Sequence, residues 1–172
     1  MVSWRISKYD PSRRDSRGRY MVAEWTSVHD IGKAFAGREL TVEEYQRVED
    51  AYVATVEDFY LDAGRPPLRA LGVESTGRLS RSDLAPVPSA LSNDAEIGPA
   101  ELADLIRACL RELNWCRLES TDRDFAIHFG YDFYVYVTCM SESRRPLDAA
   151  RDRNLFVEPH ESPYGTSERD EQ

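Results

Sequence analysis

An amphipathic helix over residues 42–63 is the feature that most restricts how this chain can fold. Its apolar positions recur at the spacing of one helix face: Tyr45, Val48, Tyr52, Val56, Phe59 and Ala63. Thr41 and Glu44 have the spacing of a capping box, which satisfies free N–H groups where a helix begins. Gly64 and the following Pro66-Pro67 pair predict its end. Because only one face of this helix is apolar, that face must pack on another layer of the domain.

Strand patterns elsewhere supply such a layer. The predicted strands are residues 3–9, 68–75, 115–120, 124–130, 132–140 and 155–158. A second helix is predicted over residues 99–113, opening on Pro99, and a short third one over residues 146–153. The pattern predicts an α+β fold, with a mostly antiparallel sheet and two main helices packed on one face.

The hairpin of residues 124–140 has a predicted register. A three-residue loop, Gly130 to Asp132, pairs Phe129 with Phe133 and places the apolar side chains of both strands on one face. His128 and Tyr134 then lie on the opposite face.

The domain organisation follows from length and local composition. A chain of 172 residues suits one domain, which we predict over residues 1–158, followed by a polar, frayed tail over residues 159–172. Residues 76–97 contain two prolines and four serines without a period, so they form a long excursion of the kind that is functional or mobile.

The charge pattern bears on partners. The net charge is −9, which argues against nucleic-acid binding, and residues 41–64 alone carry seven acidic side chains against Arg47. On the polar face of the first helix, Glu43, Asp50 and Glu57 lie seven residues apart, with Asp58 beside them. Such a face is a candidate docking surface for a basic partner, although a solvated face that keeps the protein soluble explains the same pattern.

Aromatic side chains offer a second candidate contact. Tyr134 and Tyr136 share a predicted strand face and could anchor a protein partner if they are exposed.

The alternatives to protein binding are an enzyme or a small-molecule-binding regulatory protein. A small hydrolase would use His128 as a general base oriented by Asp132. A G-x-S-x-G motif is not present, and a hydrogen-bonded histidine on an aromatic sheet face explains His128 more simply. A regulatory protein would need an apolar cavity beneath the sheet.

Other sequence signals concern cofactors and compartment. The chain has no H-E-x-x-H, C-x-x-C or glycine-rich phosphate loop, so we predict no metal and no cofactor. No apolar run is long enough for a secretory signal or a membrane span. The three cysteines are typical of reduced thiols, and we expect a cytoplasmic protein.

Three segments carry a family resemblance: SWRISKYDP (3–11), EWTSVHDIGKAFAGRELTVEEYQRVEDAYV (24–53) and FAIHFGYDFYVYV (125–137). They resemble a largely uncharacterised family of small, standalone bacterial proteins that includes suspected immunity proteins of polymorphic-toxin systems. The resemblance implies a non-enzymatic protein that inhibits a toxin, and it brings no catalytic residues. We therefore predict a protein-binding module of the immunity type, with a basic toxin domain as its partner.

Overall fold

The structure is a computed structural model, and it describes residues 1–140 and 144–164 of the chain. The strands are β1 (Val2–Ser7), β2 (Ala34–Phe35), β3 (Arg38–Glu39), β4 (Leu68–Ser75), β5 (Glu96–Ile97), β6 (Asn114–Ser120), β7 (Phe125–Phe129), β8 (Val135–Cys139) and β9 (Phe156–Pro159). The helices are α1 (Val42–Asp62), α2 (Pro99–Leu110) and α3 (Arg144–Asp152).

Seven of these strands form one sheet in the order β5-β4-β6-β7-β8-β1-β9, and every neighbouring pair is antiparallel. The remaining two, β2 and β3, form a small separate hairpin. The α+β fold predicted from the sequence is confirmed.

The inner face of the sheet forms the core. A row of buried side chains crosses five strands in register: Trp4, Val137, Ile127, Leu118 and Ala70. Helix α1 packs on this face, where the rings of Tyr60 and Phe125 lie 5.8 Å apart. Helix α2 packs on it as well, where the Sγ atoms of Cys109 and Cys116 lie 3.7 Å apart.

The ends of α1 lie close to their predicted positions. The helix begins after Thr41, whose side chain accepts a hydrogen bond from the Glu44 backbone N–H, and Gly64 follows it with a φ of +82°. Within the helix, Arg47 donates two 2.8 Å hydrogen bonds to Glu44. Arg47 thus pairs with Glu44, three residues before it, and not with Glu43.

The hairpin register differs from the prediction by two residues. Phe129 pairs with Val135 rather than Phe133, so a five-residue loop over residues 130–134 joins β7 to β8. The apolar residues still share one face, because a shift of two residues preserves the alternation of side chains. His128 consequently lies opposite Tyr136, and Tyr134 lies in the loop.

The outer face of the sheet carries polar residues. A second row crosses it in register: Glu158, Arg5, Tyr136, His128 and Arg117. Residues 160–164 follow β9 and lie against this face, with the ring of His160 5.8 Å from that of Tyr136. The packed chain thus continues past residue 158, the last residue of the predicted domain, and residues 165–172 of the predicted tail lie outside the described part.

Residues 76–97 form a long connection that is tied to the domain at several points. The Arg111 guanidinium donates to the carbonyl of Ala85 at 2.6 Å, and the Asn114 amide donates to the carbonyl of Ser89 at 2.7 Å. The end of this connection adds β5 to the edge of the sheet.

Candidate functional site

A cleft of about 620 Å³ opens at one end of the sheet, and we call it the sheet-end cleft. The loop between β7 and β8, the turn between α2 and β6 and residues 74–78 all contribute to its lining. The aromatic residues Trp115, Tyr131, Tyr134 and Tyr164 and the charged residues Glu74, Arg78, Glu112 and Asp132 are among those that line it. This cleft brings together segments that are far apart in the sequence.

The β7–β8 loop is held in an unusual backbone shape. Asp132 and Phe133 have φ values of +56° and +63°, which side chains other than glycine seldom adopt. The Tyr9 hydroxyl donates to the Asp132 carbonyl at 2.8 Å and fixes the loop from one side. The Phe133 ring lies edge-on to Tyr52 in the core, at 5.1 Å. These anchors leave Tyr131 82% exposed at the cleft.

Trp115 and Tyr164 form a fixed aromatic pair in the cleft lining. The indole N–H of Trp115 donates to the Phe129 carbonyl at 2.8 Å, which sets the orientation of the ring. The Tyr164 ring meets Trp115 edge to face at 5.6 Å. The cleft therefore has aromatic surface already in place before any ligand arrives.

Carboxylates dominate the charge of the cleft. Glu112 accepts a 2.5 Å hydrogen bond from the Ser27 hydroxyl and forms an ion pair with Arg78. Glu74 and Asp132, in contrast, have no ion-pair partner within residues 1–140 and 144–164. Burial raises the pKa of the Tyr164 phenol, and the negative charge of Asp132 adds to that effect. The cleft is thus suited to a positively charged group.

The acidic residues predicted on α1 divide into two kinds. Asp50 pairs with Arg107 of α2 at 3.1 Å, and Asp58 pairs with Arg153 beyond α3 at 2.7 Å. Within the described residues, Glu43 and Glu57 have no ion pair. The acidic helix face is therefore smaller than the sequence suggests, because neighbouring elements neutralise half of it.

The two predicted aromatic anchors also differ in position. Tyr136 is only 6% exposed, and residues His160 and Tyr164 lie over it. Tyr134 is half-buried, and its hydroxyl accepts a hydrogen bond from Arg14 at 3.0 Å. The exposed aromatic side chain at this place is Tyr131, which the strand pattern did not single out because it falls in the loop.

The structure does not join His128 to Asp132, and neither a hydrogen bond nor an ion pair links them in the described part of the chain. Instead, the Nδ1 atom of His128 forms a 2.8 Å hydrogen bond with the Ser162 hydroxyl. Its Nε2 atom lies 3.7 Å from a carboxylate oxygen of Glu119, too far for a hydrogen bond.

The surroundings of His128 favour a structural role. The ring is 3% exposed, and neither it nor Ser162 lines the sheet-end cleft. The His128 side chain, together with Arg117, holds the pKa of the Glu119 carboxyl below its usual range. The hydrogen bond between His128 and the Ser162 hydroxyl holds residues 160–164 on the outer face of the sheet.

Within residues 1–140 and 144–164, three or more His, Cys, Asp or Glu side chains do not come together in a group that could hold a metal ion. In the same residues, no helix has both the length and the apolar character needed to cross a membrane.

Comparisons with protein-family models, with curated proteins and with solved structures found no match to the chain. The family resemblance of residues 3–11, 24–53 and 125–137 therefore stays a prediction.

Proposed function

We propose that the protein is a cytoplasmic protein-binding module, an inhibitor of the immunity type that neutralises a toxin with a basic surface. The observation that carries this proposal is a set of carboxylates without a cation. Glu43 and Glu57 of α1 and Glu74 and Asp132 of the sheet-end cleft have no ion pair among the described residues.

The start of α1 and the sheet-end cleft belong to the same end of the molecule. The ring of Tyr45, in the first turns of α1, lies 5.8 Å from the ring of Phe133 in the loop that lines the cleft. Glu43 is two residues before Tyr45. Residues two apart on a helix do not share a face, so Glu43 is exposed to solvent while Tyr45 is buried, and it is the start of α1 that lies beside the cleft.

Electrostatics supports a binder of this kind. Carboxylates without a local cation create a negative field that speeds the encounter with a basic protein and disfavours acidic partners. Tyr131, which lines the cleft together with Glu74 and Asp132, is exposed, and exposed tyrosine is a common anchor in protein interfaces. The resemblance to suspected immunity proteins supports the same function.

The enzyme and regulatory alternatives draw less support. His128 and Asp132 lie apart, so the pair that a hydrolase would need is not assembled. The sheet-end cleft lies at an end of the sheet and has both polar and aromatic lining, whereas a regulatory site for an apolar small molecule would lie beneath the sheet.

Charge reversal tests the proposal. The immobilised protein captures its partner from the native cell extract, and the purified partner then binds wild type, a Glu43→Lys/Glu57→Lys variant and an Asp122→Lys/Asp124→Lys variant. Asp122 and Asp124 lie in the turn between β6 and β7, at the opposite end of the sheet from the cleft. Because both variants replace two carboxylates with two lysines, the control has the same change in net charge. We expect the first variant to lower the association rate about tenfold at low salt, and the control to lower it much less.

A growth assay tests the inhibitory role. The captured partner, expressed alone in a bacterial host, should arrest growth, and co-expression of the wild-type protein should restore it. A partner that does not harm the host, or equal effects of the two charge reversals, would contradict the proposal.

A further inference from the structure

The size of the sheet-end cleft fits a side chain that enters it from outside. Its volume of about 620 Å³ lies inside the range of roughly 300–1,000 Å³ that is typical of ligand sites. The Trp115 ring and the β7–β8 loop are held by hydrogen bonds to the backbone, so a ligand would meet a largely formed site.

The charge of the cleft selects a cation. Among the described residues that line it, Arg78 is the single basic side chain, and Glu112 already pairs with it. Glu74 and Asp132 remain as carboxylates without an ion pair in the described chain. An anionic ligand would face their uncompensated charge, whereas a cation would neutralise it.

The aromatic lining distinguishes between cations. Trp115, Tyr131, Tyr134 and Tyr164 line the same space as the two carboxylates. A guanidinium is planar, stacks on aromatic faces and donates two parallel hydrogen bonds to a carboxylate, whereas an ammonium is a compact, strongly hydrated point charge. Arg78 gives an example within the chain, since its guanidinium pairs with Glu112 in the cleft lining.

We propose that the sheet-end cleft binds the guanidinium of an arginine side chain that the partner protein inserts, with Asp132 and Glu74 as its carboxylate acceptors and the aromatic residues as its stacking surface. This proposal rests on the proposed function only in that the arginine belongs to the partner. The chemistry of the cleft itself can be tested without a partner.

The probe is Nα-acetyl-arginine amide, titrated into the full-length protein and followed by the NMR signal of the Trp115 indole N–H. The matched probe is Nα-acetyl-citrulline amide, which has nearly the same shape and no charge, and Nα-acetyl-lysine amide tests the preference for a guanidinium. We expect the arginine derivative to bind at least tenfold more tightly than the citrulline derivative, and also more tightly than the lysine derivative.

Neutral variants locate the acceptors. Asp132→Asn combined with Glu74→Gln removes both charges, and asparagine tolerates the positive φ at position 132. We expect this variant to bind the arginine derivative about tenfold more weakly than wild type. Asp122→Asn/Asp124→Asn, which removes two charges in the turn at the opposite end of the sheet, is the control and should leave binding unchanged.

Several results would overturn the proposal. Equal binding of the arginine and citrulline derivatives would exclude a charge-selective site, as would unchanged binding by the Asp132→Asn/Glu74→Gln variant. If the arginine derivative binds as expected but this variant binds the purified partner as wild type does, the arginine does not come from the partner. An effect of Glu43→Lys/Glu57→Lys no larger than that of its control would contradict the proposed function alone.

Discussion

Lys8 is a charged side chain whose surroundings differ strongly from those of a lysine in water. Its Nζ atom lies 4.0 Å from the ring centre of Trp25 and 4.2 Å from that of Tyr9, with Glu24 at 3.3 Å. Burial lowers the pKa of Lys8 from 10.5 to about 8, and the attraction of Glu24 offsets this only in part. The free-energy cost of removing water from the Lys8 ammonium is therefore larger than the stabilisation of its charge by one ion pair and two aromatic rings.

The lowered pKa of Lys8 predicts a pH dependence of stability. Between about pH 8 and 10.5 the unfolded chain keeps the proton that folded Lys8 has released. Stability therefore rises with pH in this window, by up to about 1.4 kcal/mol per pH unit.

Lys8→Met should remove this contribution. We expect the free energy of unfolding of wild type, minus that of the variant, to increase between pH 8 and 9.5 in urea titrations. The contributions of other titrating groups to the free energy of unfolding are the same in both proteins and cancel in this difference, so the two proteins are compared at each pH. Parallel pH profiles for the two proteins would contradict the burial of a titrating Lys8.

The spacing of the acidic residues explains why the sequence predicted an acidic face on α1 but did not predict which of its carboxylates are paired. The seven-residue repeat of Glu43, Asp50 and Glu57 is a local property of the sequence, and α1 has these residues on one side. The partners of Asp50 and Asp58 come from α2 and from the chain beyond α3, at positions 107 and 153. Pairing over such distances in the chain has no local signal.

Among the elements, α1 is the one whose bounds the local sequence signals predict most accurately. Its cap, its apolar repeat and its glycine end all act within a few residues, so the predicted and observed helices differ by one residue. The β7–β8 hairpin shows the opposite case, since alternation alone cannot distinguish registers that differ by two residues. Phe133 packs against Trp25 and Tyr52 instead of extending the strand, and this tertiary contact decides the loop length.

Gly130 explains why the loop can begin where it does. A Cβ atom at this position would lie 2.9 Å from the ring of Tyr136 and 3.3 Å from the Cβ atom of Tyr134. The Tyr136 ring is buried beneath residues 160–164 and has little room to move. We expect Gly130→Ala to lower the free energy of unfolding by about 1–3 kcal/mol, measured by urea denaturation.

A double-mutant cycle checks the cause of that loss. Tyr136→Leu removes the ring atom that the new Cβ would meet, so Gly130→Ala should cost clearly less in the Tyr136→Leu background than in wild type. An equal cost in both backgrounds would mean that the close approach to Tyr136 is not the reason.

At the scale of the whole molecule, one buried ion pair joins three parts of the chain. Arg111, at the end of α2, donates two hydrogen bonds of 2.7 and 2.6 Å to Glu49 of α1. A third, to the carbonyl of Ala85, holds the long connection of residues 76–97. Glu49 is 1% exposed and Arg111 is 5% exposed, and the Tyr45 hydroxyl also donates to Glu49. The geometry satisfies both charges where water cannot.

Arg111→Met should therefore leave a buried carboxylate without its main partner. Arg107, 3.9 Å from Glu49, compensates only in part. We expect a loss of about 3–5 kcal/mol in the free energy of unfolding and faster proteolysis within residues 76–97.

The matched control is Glu49→Gln/Arg111→Met, in which glutamine still accepts a hydrogen bond from Tyr45 but carries no charge. This double variant should unfold at a higher urea concentration than Arg111→Met alone. If the two unfold together, the loss comes from packing rather than from the unpaired charge.

The sequence by itself determined the three helices, the six longer strands and the α+β class, because helix caps, apolar repeats and strand alternation act over a few residues; it did not predict the two-residue strands β2, β3 and β5. It also located the acidity in α1. Tertiary structure alone decided the strand order, in which β1 lies between β8 and β9, and the pairing of Asp50, Asp58 and Glu49 with arginines from other elements. It also assembled the sheet-end cleft from segments between residues 26 and 164. The physical reason is that these features depend on contacts between distant residues, which no local pattern encodes.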